Sequence, residues 1–112
     1  MKIVEKPWGR EMWVAHTDQY AFKIIEIKAG TRPSLQYHRV KRETIYVDSG
    51  LVRAELEGED GAMTVRELGP GAVIDVLPGR KHRIAAVQDT RLLEVSTPQL
   101  DDVVRIEDDY GR

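Results

Sequence analysis

From end to end the chain alternates short apolar–polar runs with turn residues, and this rhythm is what most limits its fold. In "LVRAELE", Val52, Ala54 and Leu56 fall on one face and Arg53, Glu55 and Glu57 on the other. That is the period of two of a half-buried strand. "GEDG", Gly58 to Gly61, supplies turn residues, and "AMTVREL" resumes with Met63 and Val65 on one face, so the two runs predict a β-hairpin. Further strands are expected at Glu11 to Ala15, Ala21 to Lys28, Thr44 to Asp48, Ala72 to Leu77, His82 to Val87 and Arg91 to Ser96. Breakers divide them: Ala29-Gly30, Ser49-Gly50, Gly69-Pro70-Gly71, Pro78-Gly79 and Gln88-Asp89-Thr90. No window keeps a helical period. The closing "STPQLDDVVRIEDDYGR" has room for one helical turn near Asp101 and a last strand near Val103. Many short strands with Gly/Pro turns predict an all-β sandwich or barrel.

A chain of 112 residues is the size of one domain, expected to run from 1 to 112. Seventeen basic and nineteen acidic residues nearly cancel, so no global field draws the chain to nucleic acid or an anionic membrane. The absence of cysteine removes disulfides and thiolate metal sites. "MKIVEKPWGRE" lacks the apolar segment of a signal peptide and no run reaches membrane-spanning length, so the cytoplasm is the expected location.

The residues that carry chemistry crowd into "SLQYHRVKRE", residues 34 to 43. Gln36 and His38 are two apart, and on a shared strand their side chains point to one face. Glu43 follows the basic knot Arg39-Val40-Lys41-Arg42, which reads as a solvated turn. His82 opens another strand after "LPGRK". Two imidazoles, a carboxylate and an amide oxygen form a mixed N/O set suited to a divalent first-row metal with positions left open. Residue types alone leave a second reading in place, in which all four are polar strand and turn residues hydrogen-bonding at a rim. The acidic run Glu107-Asp108-Asp109 reads as a solvated tail.

The glycine spacing adds a resemblance. From Gly30 to Gly50, "GTRPSLQYHRVKRETIYVDSG" resembles the first motif of the cupin superfamily, with Gln36 where the usual motif has its first His. From Gly71 to Ala86, "GAVIDVLPGRKHRIAA" resembles the second, with Gly71, Gly79 and His82 on its fixed positions. More closely, "KPWGRE", "PSLQYH" and "DDVVRIEDDYGR" resemble the C-terminal cupin domain of type II mannose-6-phosphate isomerases, whose other part is a nucleotidyltransferase. In that family Gln is the expected metal residue, so Gln36 is a family feature. The chain departs from the pattern at Arg39 and Val40, where more His is usual, and at Glu94-Val95-Ser96, where Glu-Val-Gln is usual.

The resemblance implies a small jelly-roll β-barrel and one divalent metal ion held by Gln36, His38, Glu43 and His82. Zinc is the first expectation, with manganese, cobalt, nickel and iron as alternatives. It implies interconversion of mannose 6-phosphate and fructose 6-phosphate, or of a related phosphosugar, through a metal-stabilised enediolate. The base this needs is not identified by sequence, and Glu94 and Lys81 are candidates by position only. Arg32 and Arg112 match family positions and are the candidates for phosphate. Small cupins also suggest a homodimer, with an exposed apolar sheet face as its physical reason. Two other classes compete: a redox-metal cupin such as a dioxygenase, which the weak Gln36 donor disfavours, and a non-catalytic sugar-binding module.

Overall fold

The computed structural model describes all of residues 1–112 and contains no helix. Eleven strands follow one another: β1 (Lys2–Lys6), β2 (Gly9–His16), β3 (Ala21–Ile27), β4 (Leu35–Tyr37), β5 (Glu43–Ser49), β6 (Val52–Glu57), β7 (Met63–Leu68), β8 (Val73–Val76), β9 (His82–Ala86), β10 (Thr90–Ser96) and β11 (Val104–Glu107). They form a six-stranded sheet in the order β1-β2-β3-β10-β5-β8 and a five-stranded sheet in the order β11-β4-β9-β6-β7. All pairings are antiparallel. The two sheets face each other as a jelly-roll barrel, and the all-β expectation holds.

Alternation in the sequence becomes alternation in burial. In β3, Ala21, Lys23, Ile25 and Ile27 point inward while Phe22, Ile24 and Glu26 point out. β5 does the same with Glu43, Ile45 and Val47. Apolar inward residues, among them Ile45, Val47, Val52, Ala54, Ile74, Val76 and Leu92, pack into one core. Burial of this kind contributes about 25 cal/mol for each Å² of apolar surface removed from water. The core fills one end of the barrel, and polar inward residues line the other.

Two glycines are required by close approaches. A Cβ on Gly9, in "PWG", would sit 1.9 Å from the Glu26 carbonyl oxygen of the neighbouring strand. At Gly50 (φ +96°) a Cβ would meet the Asp89 carbonyl oxygen at 2.4 Å. The two cupin-like motifs are stitched together by backbone. Gly30 donates to the Ala86 carbonyl at 2.8 Å, and Gly79 donates to the His38 carbonyl at 2.7 Å.

Some expectations need correcting. β1 and β4 are additional to the strands expected from sequence, and the turn expected near Asp101 is a single turn closed by Asp102 N–H to the Gln99 carbonyl at 3.2 Å. The hairpin β6–β7 forms, yet Met63 and Val65 stay exposed because β7 is a sheet edge beyond the core. The acidic run is no free tail. Asp109 binds Arg32 and Arg83, Glu107 reaches Arg83, and Asp108 holds Arg112. On the outside of the six-stranded sheet, cross-strand partners form an apolar row: Ile3, Met12, Ile24, Leu93, Tyr46 and Val73. This is an apolar sheet face of the kind on which the expectation of pairing between copies rests.

Candidate metal centre

His82 sits in the middle of its sheet, with Gln36 of β4 opposite it on one side and Leu56 of β6 on the other. β4 ends at Tyr37, and His38 follows directly. Glu43 enters from the first residue of β5 in the facing sheet. The two sheets therefore bring their polar residues together across the barrel. Glu43 Oε1 lies 3.2 Å from His38 Nε2 and 3.1 Å from His82 Nε2. All three side chains are buried. One donor atom from each falls within 4.8 Å of the others, the compactness a metal ion asks of its ligands.

The far side of each ring is fixed. His38 Nδ1 donates to the Asp102 carbonyl at 2.6 Å and His82 Nδ1 to the Arg80 carbonyl at 3.0 Å. A carbonyl only accepts, so each Nδ1 carries a proton. Each Nε2 then faces Glu43 in one of two ways: as a second N–H on a charged ring, or as a bare lone pair with a cation between. Locking Nδ1 and turning Nε2 toward a shared carboxylate oxygen is the tautomer arrangement of metal-binding histidines. The donor set of His38, Glu43 and His82 fits a divalent ion. Gln36 lines the same cavity, and its Oε1 accepts from Ser34 Oγ at 2.7 Å.

Beside this group lies one that sequence reasoning misplaced. Lys41, expected in a solvated turn, is buried, with Nζ 3.2 Å from Glu43 Oε2 and 3.3 Å from Glu94 Oε2. Against burial, which would strip its proton, the carboxyl groups of Glu94 and Glu43 hold Lys41 above the usual lysine range. Burial also pushes Glu43 up, but hydrogen bonds from His38, His82 and Glu94 and the charge of Lys41 outweigh it and keep Glu43 well below the usual carboxylate range. Glu94 goes the other way. Burial, the Glu43 charge and a hydrogen bond to Glu43 push it well above that range. Two carboxyl groups whose pKa values are driven apart and one ammonium thus share a buried space.

What turns Lys41 inward comes from far along the chain. The Asp102 carboxylate accepts the backbone N–H groups of Arg39, Val40 and Lys41 at 3.0, 2.7 and 2.9 Å. The loop wraps this anion and the lysine side chain falls to the inside. These bonds lower the Asp102 pKa from 3.8 to about 2. A carboxyl depressed on folding stabilises the fold in full above its ordinary pKa, and that contribution is lost as pH falls through the folded value. Asp102→Asn is therefore expected to unfold at a lower temperature than the parent above about pH 4, with the gap closing toward about pH 2. A gap independent of pH in thermal melts across that window would remove the carboxylate from this role.

The cavity above these residues has a volume of about 260 Å³. Its wall includes Trp8, Glu11, Lys23, Gln36, Lys41, Glu94 and Arg112, with Lys6 and Arg105 also present. The indole N–H of Trp8 is the one buried side-chain polar atom without a partner, and a hydroxyl or water oxygen in the cavity would satisfy it. Of the residues singled out from sequence, His38, Glu43, His82, Gln36, Glu94 and Arg112 meet in this cavity. Arg32 does not. Its guanidinium is held by Asp109 through two bonds, of 2.8 and 3.1 Å, outside the cavity wall. Lys81 is exposed and lines a separate hollow beside Glu57 and Arg80.

Comparison with known proteins adds to the geometry. The solved structure of KdgF from Halomonas sp. superposes with a TM-score of 0.78 at 23% identity, covering 90% of this chain and 91% of that one. An oxalate decarboxylase OxdC variant from Bacillus subtilis gives a TM-score of 0.83 at 19% identity, covering 94% of this chain and 30% of that one. At such identity both speak for the fold alone. In sequence, mannose-1-phosphate guanylyltransferase ManC of Salmonella typhimurium is 33% identical over 114 aligned positions. The Escherichia coli mannose-1-phosphate guanylyltransferase is 31% identical. Each alignment takes in 97% of this chain and 23% of the relative, so the chain spans about a quarter of their length. The family described as mannose-6-phosphate isomerase C-terminal matches residues 1–108, which includes both halves of the His/Glu group and the Asp102 clasp. By that match the chain belongs to the mannose-6-phosphate isomerase C-terminal domain family.

Proposed function

We propose that the chain is a metal-dependent sugar-phosphate isomerase that interconverts mannose 6-phosphate and fructose 6-phosphate or a close relative. The observation that carries this reading is the meeting of Glu43 with two tautomer-locked imidazoles beside a second buried carboxyl, Glu94, in a chain of this family. Gln36, His38, Glu43 and His82 are the residues that would hold the ion.

An aldose–ketose shift moves a proton between C1 and C2 and another between their oxygens. It needs a polarised carbonyl and a group that accepts and returns protons. A divalent ion, when bound, supplies Lewis acidity at the carbonyl and hydroxyl oxygens. The chain's own residues do the rest. Glu43 lowers the net charge of the ligand set, and Lys41 balances Glu43 when Glu94 is neutral. Glu94 stands in the cavity wall, where its acid form would give a proton to a substrate oxygen and its ionised form would act as a base. Trp8, Ile25, Ile27 and Ile84 give this cavity an apolar stretch of wall.

The test is conversion of mannose 6-phosphate to fructose 6-phosphate by the purified chain with zinc, manganese or cobalt, read by a coupled assay. Glu94→Gln keeps the shape and a hydrogen-bond donor. It is expected to leave metal content unchanged and lower kcat by about a hundredfold to ten-thousandfold. An unchanged kcat would take Glu94 out of proton transfer. A metal-loaded chain that turns over no phosphosugar would refute the isomerase reading and leave a sugar-binding module.

A further inference from the structure

On one side of the barrel the two sheets are not joined. β1 and β11 are edge strands, β1 pairing only with β2 and β11 only with β4. Lys6, the last residue of β1, feels the charges of Arg105 on β11 and of Arg112 beyond it, and all three border the cavity. No ladder closes the seam between these edges. Residues 107–112 lie across it. Glu107 and Asp109 hold the side of the five-stranded sheet through Arg83 of β9, while Arg112 reaches the side of β1. Between them, Tyr110 packs against the core, and Arg112 supplies part of the cavity wall.

This segment carries its own shape. The Asp108 carboxylate accepts the backbone N–H groups of Tyr110 at 3.3 Å and Arg112 at 2.8 Å, and the Arg112 Nε–H at 3.1 Å. Gly111, at φ +69°, supplies the left-handed residue of the turn. Attachment to the barrel is of a different kind. Beyond Glu107 no backbone hydrogen bond ties the segment to either sheet. Asp109 accepts from Arg32 at 2.8 and 3.1 Å and from Arg83 at 3.2 Å, and Glu107 accepts from Arg83 at 3.4 Å. The Arg83 side chain is 2% exposed, against 66% for Glu107 and 44% for Asp109. The anchor is thus sunk in the barrel and the acids that grip it lie at the surface. Pairs with an exposed partner hold weakly and are screened by salt. Arg83 also donates Nε–H to the Pro33 carbonyl at 3.0 Å, a bond that does not depend on those acids. A preformed turn held over an open seam by weak side-chain bonds has the build of a movable strap.

We propose that residues 107–112 are a strap that gates the barrel cavity through the seam between β1 and β11. Closed, it is pinned by the Arg32–Asp109–Arg83 clasp, and Arg112 completes the wall. Open, the turn swings away from β1 about the end of β11, and a small molecule passes between the two edge strands. Arg83, which takes no part in the proposed chemistry, is the anchor of the strap. Ionic strength then controls access to the cavity, since it screens the clasp and leaves the strand ladders in place. The strap rests on the seam and the cavity, not on the isomerase reading.

The experiment uses Trp8, buried in the cavity wall, as its reporter. The chain has two tryptophans, so Trp13→Phe leaves Trp8 as the one indole. Quenching of its fluorescence by acrylamide, a small neutral molecule, then measures entry into the cavity. In that background Glu107→Gln together with Asp109→Asn is expected to raise the quenching constant about threefold or more at low salt. Sodium chloride at about 1 M, where the screening length is ~3 Å, should raise quenching in the chain with an intact clasp and leave the double variant as it was. Arg53→Gln, which removes an exposed pair with Glu67 away from the seam, should change neither. A quenching constant within about 1.5-fold of the parent in the folded double variant overturns the strap. Should the double variant fail to fold, the salt series on the intact chain decides, and no rise in quenching by about 1 M salt overturns the strap equally. Amide hydrogen exchange is followed in the same samples. Unchanged exchange in β3 and β5 is expected; faster exchange throughout both sheets would assign the quenching to loss of the fold and refute the strap.

Discussion

His82→Ala is expected to give a folded chain that no longer holds a stoichiometric metal ion. The backbone of β9 is paired on both sides, with Gln36 and with Leu56, and those ladders do not depend on the imidazole. The lost ring leaves a cavity beside polar groups, where water can enter, so the stability cost is moderate. The binding cost is not. His82 Nε2 is one of three atoms converging on one point, and removing it leaves His38 and Glu43 with the weaker amide of Gln36. Changes to the groups that merely orient metal ligands already cost about tenfold to a hundredfold in affinity. Loss of a ligand is expected to exceed about a hundredfold, which removes occupancy after dialysis. The control is His16→Ala, because His16 is exposed and meets the Pro98 carbonyl and the edge of the Trp13 ring, away from the His38–Glu43–His82 group. Full metal content in purified His82→Ala by elemental analysis would sink the proposed ligand set, whatever the assay showed.

The largest effect on stability is expected from Lys41→Met. The methionine fills similar volume, so the change is one of charge. Glu43 then remains ionised and buried, without the ammonium that lies 3.2 Å from it. Breaking a buried pair by removing one partner costs about 3–5 kcal/mol. Against a total of about 5–15 kcal/mol for a domain, that is a large part of the margin. Metal should give some of it back, since a divalent ion at His38, Glu43 and His82 supplies positive charge where Lys41 supplied it. Urea unfolding of the variant is expected to show the full loss without metal and a smaller loss with it. A variant within about 1 kcal/mol of the parent in the metal-free state would mean that Lys41 is not balancing Glu43.

The strands were legible because burial alternates with a period of two along β3, β5 and β10 and through the first half of β6, where one face is covered more than the other. β1 and β4 were not. β1 is an edge strand with charges at both ends, and β4 is only three residues long after Pro33. Gln36, His38, Glu43 and His82 could be picked out because residue type, spacing and motif all pointed to them. Lys41 could not be read correctly, because its burial depends on Asp102, 61 positions along the chain. From "RVKR" alone a solvated turn is the sound reading. Arg32 and Arg105 differ for the same kind of reason. Which arginine lines the cavity is decided by the register of β11 against β4 and by the acids that capture Arg32 and Arg83. Register between distant strands leaves no local trace in sequence.

Asp102 binds the loop of residues 39–41 through its carboxylate and His38 through its carbonyl, so the closing segment of the chain and the metal group share one residue. Thermodynamic linkage then applies in both directions. An ion that is held better when His38 is fixed must, by the same free energy, hold the closing segment down. Fraying of that segment must in turn loosen the ion. If the His38–Glu43–His82 group holds an ion, its occupancy and the order of the chain's end belong to a single equilibrium, and a perturbation applied to the last strand would be felt as a change in metal affinity.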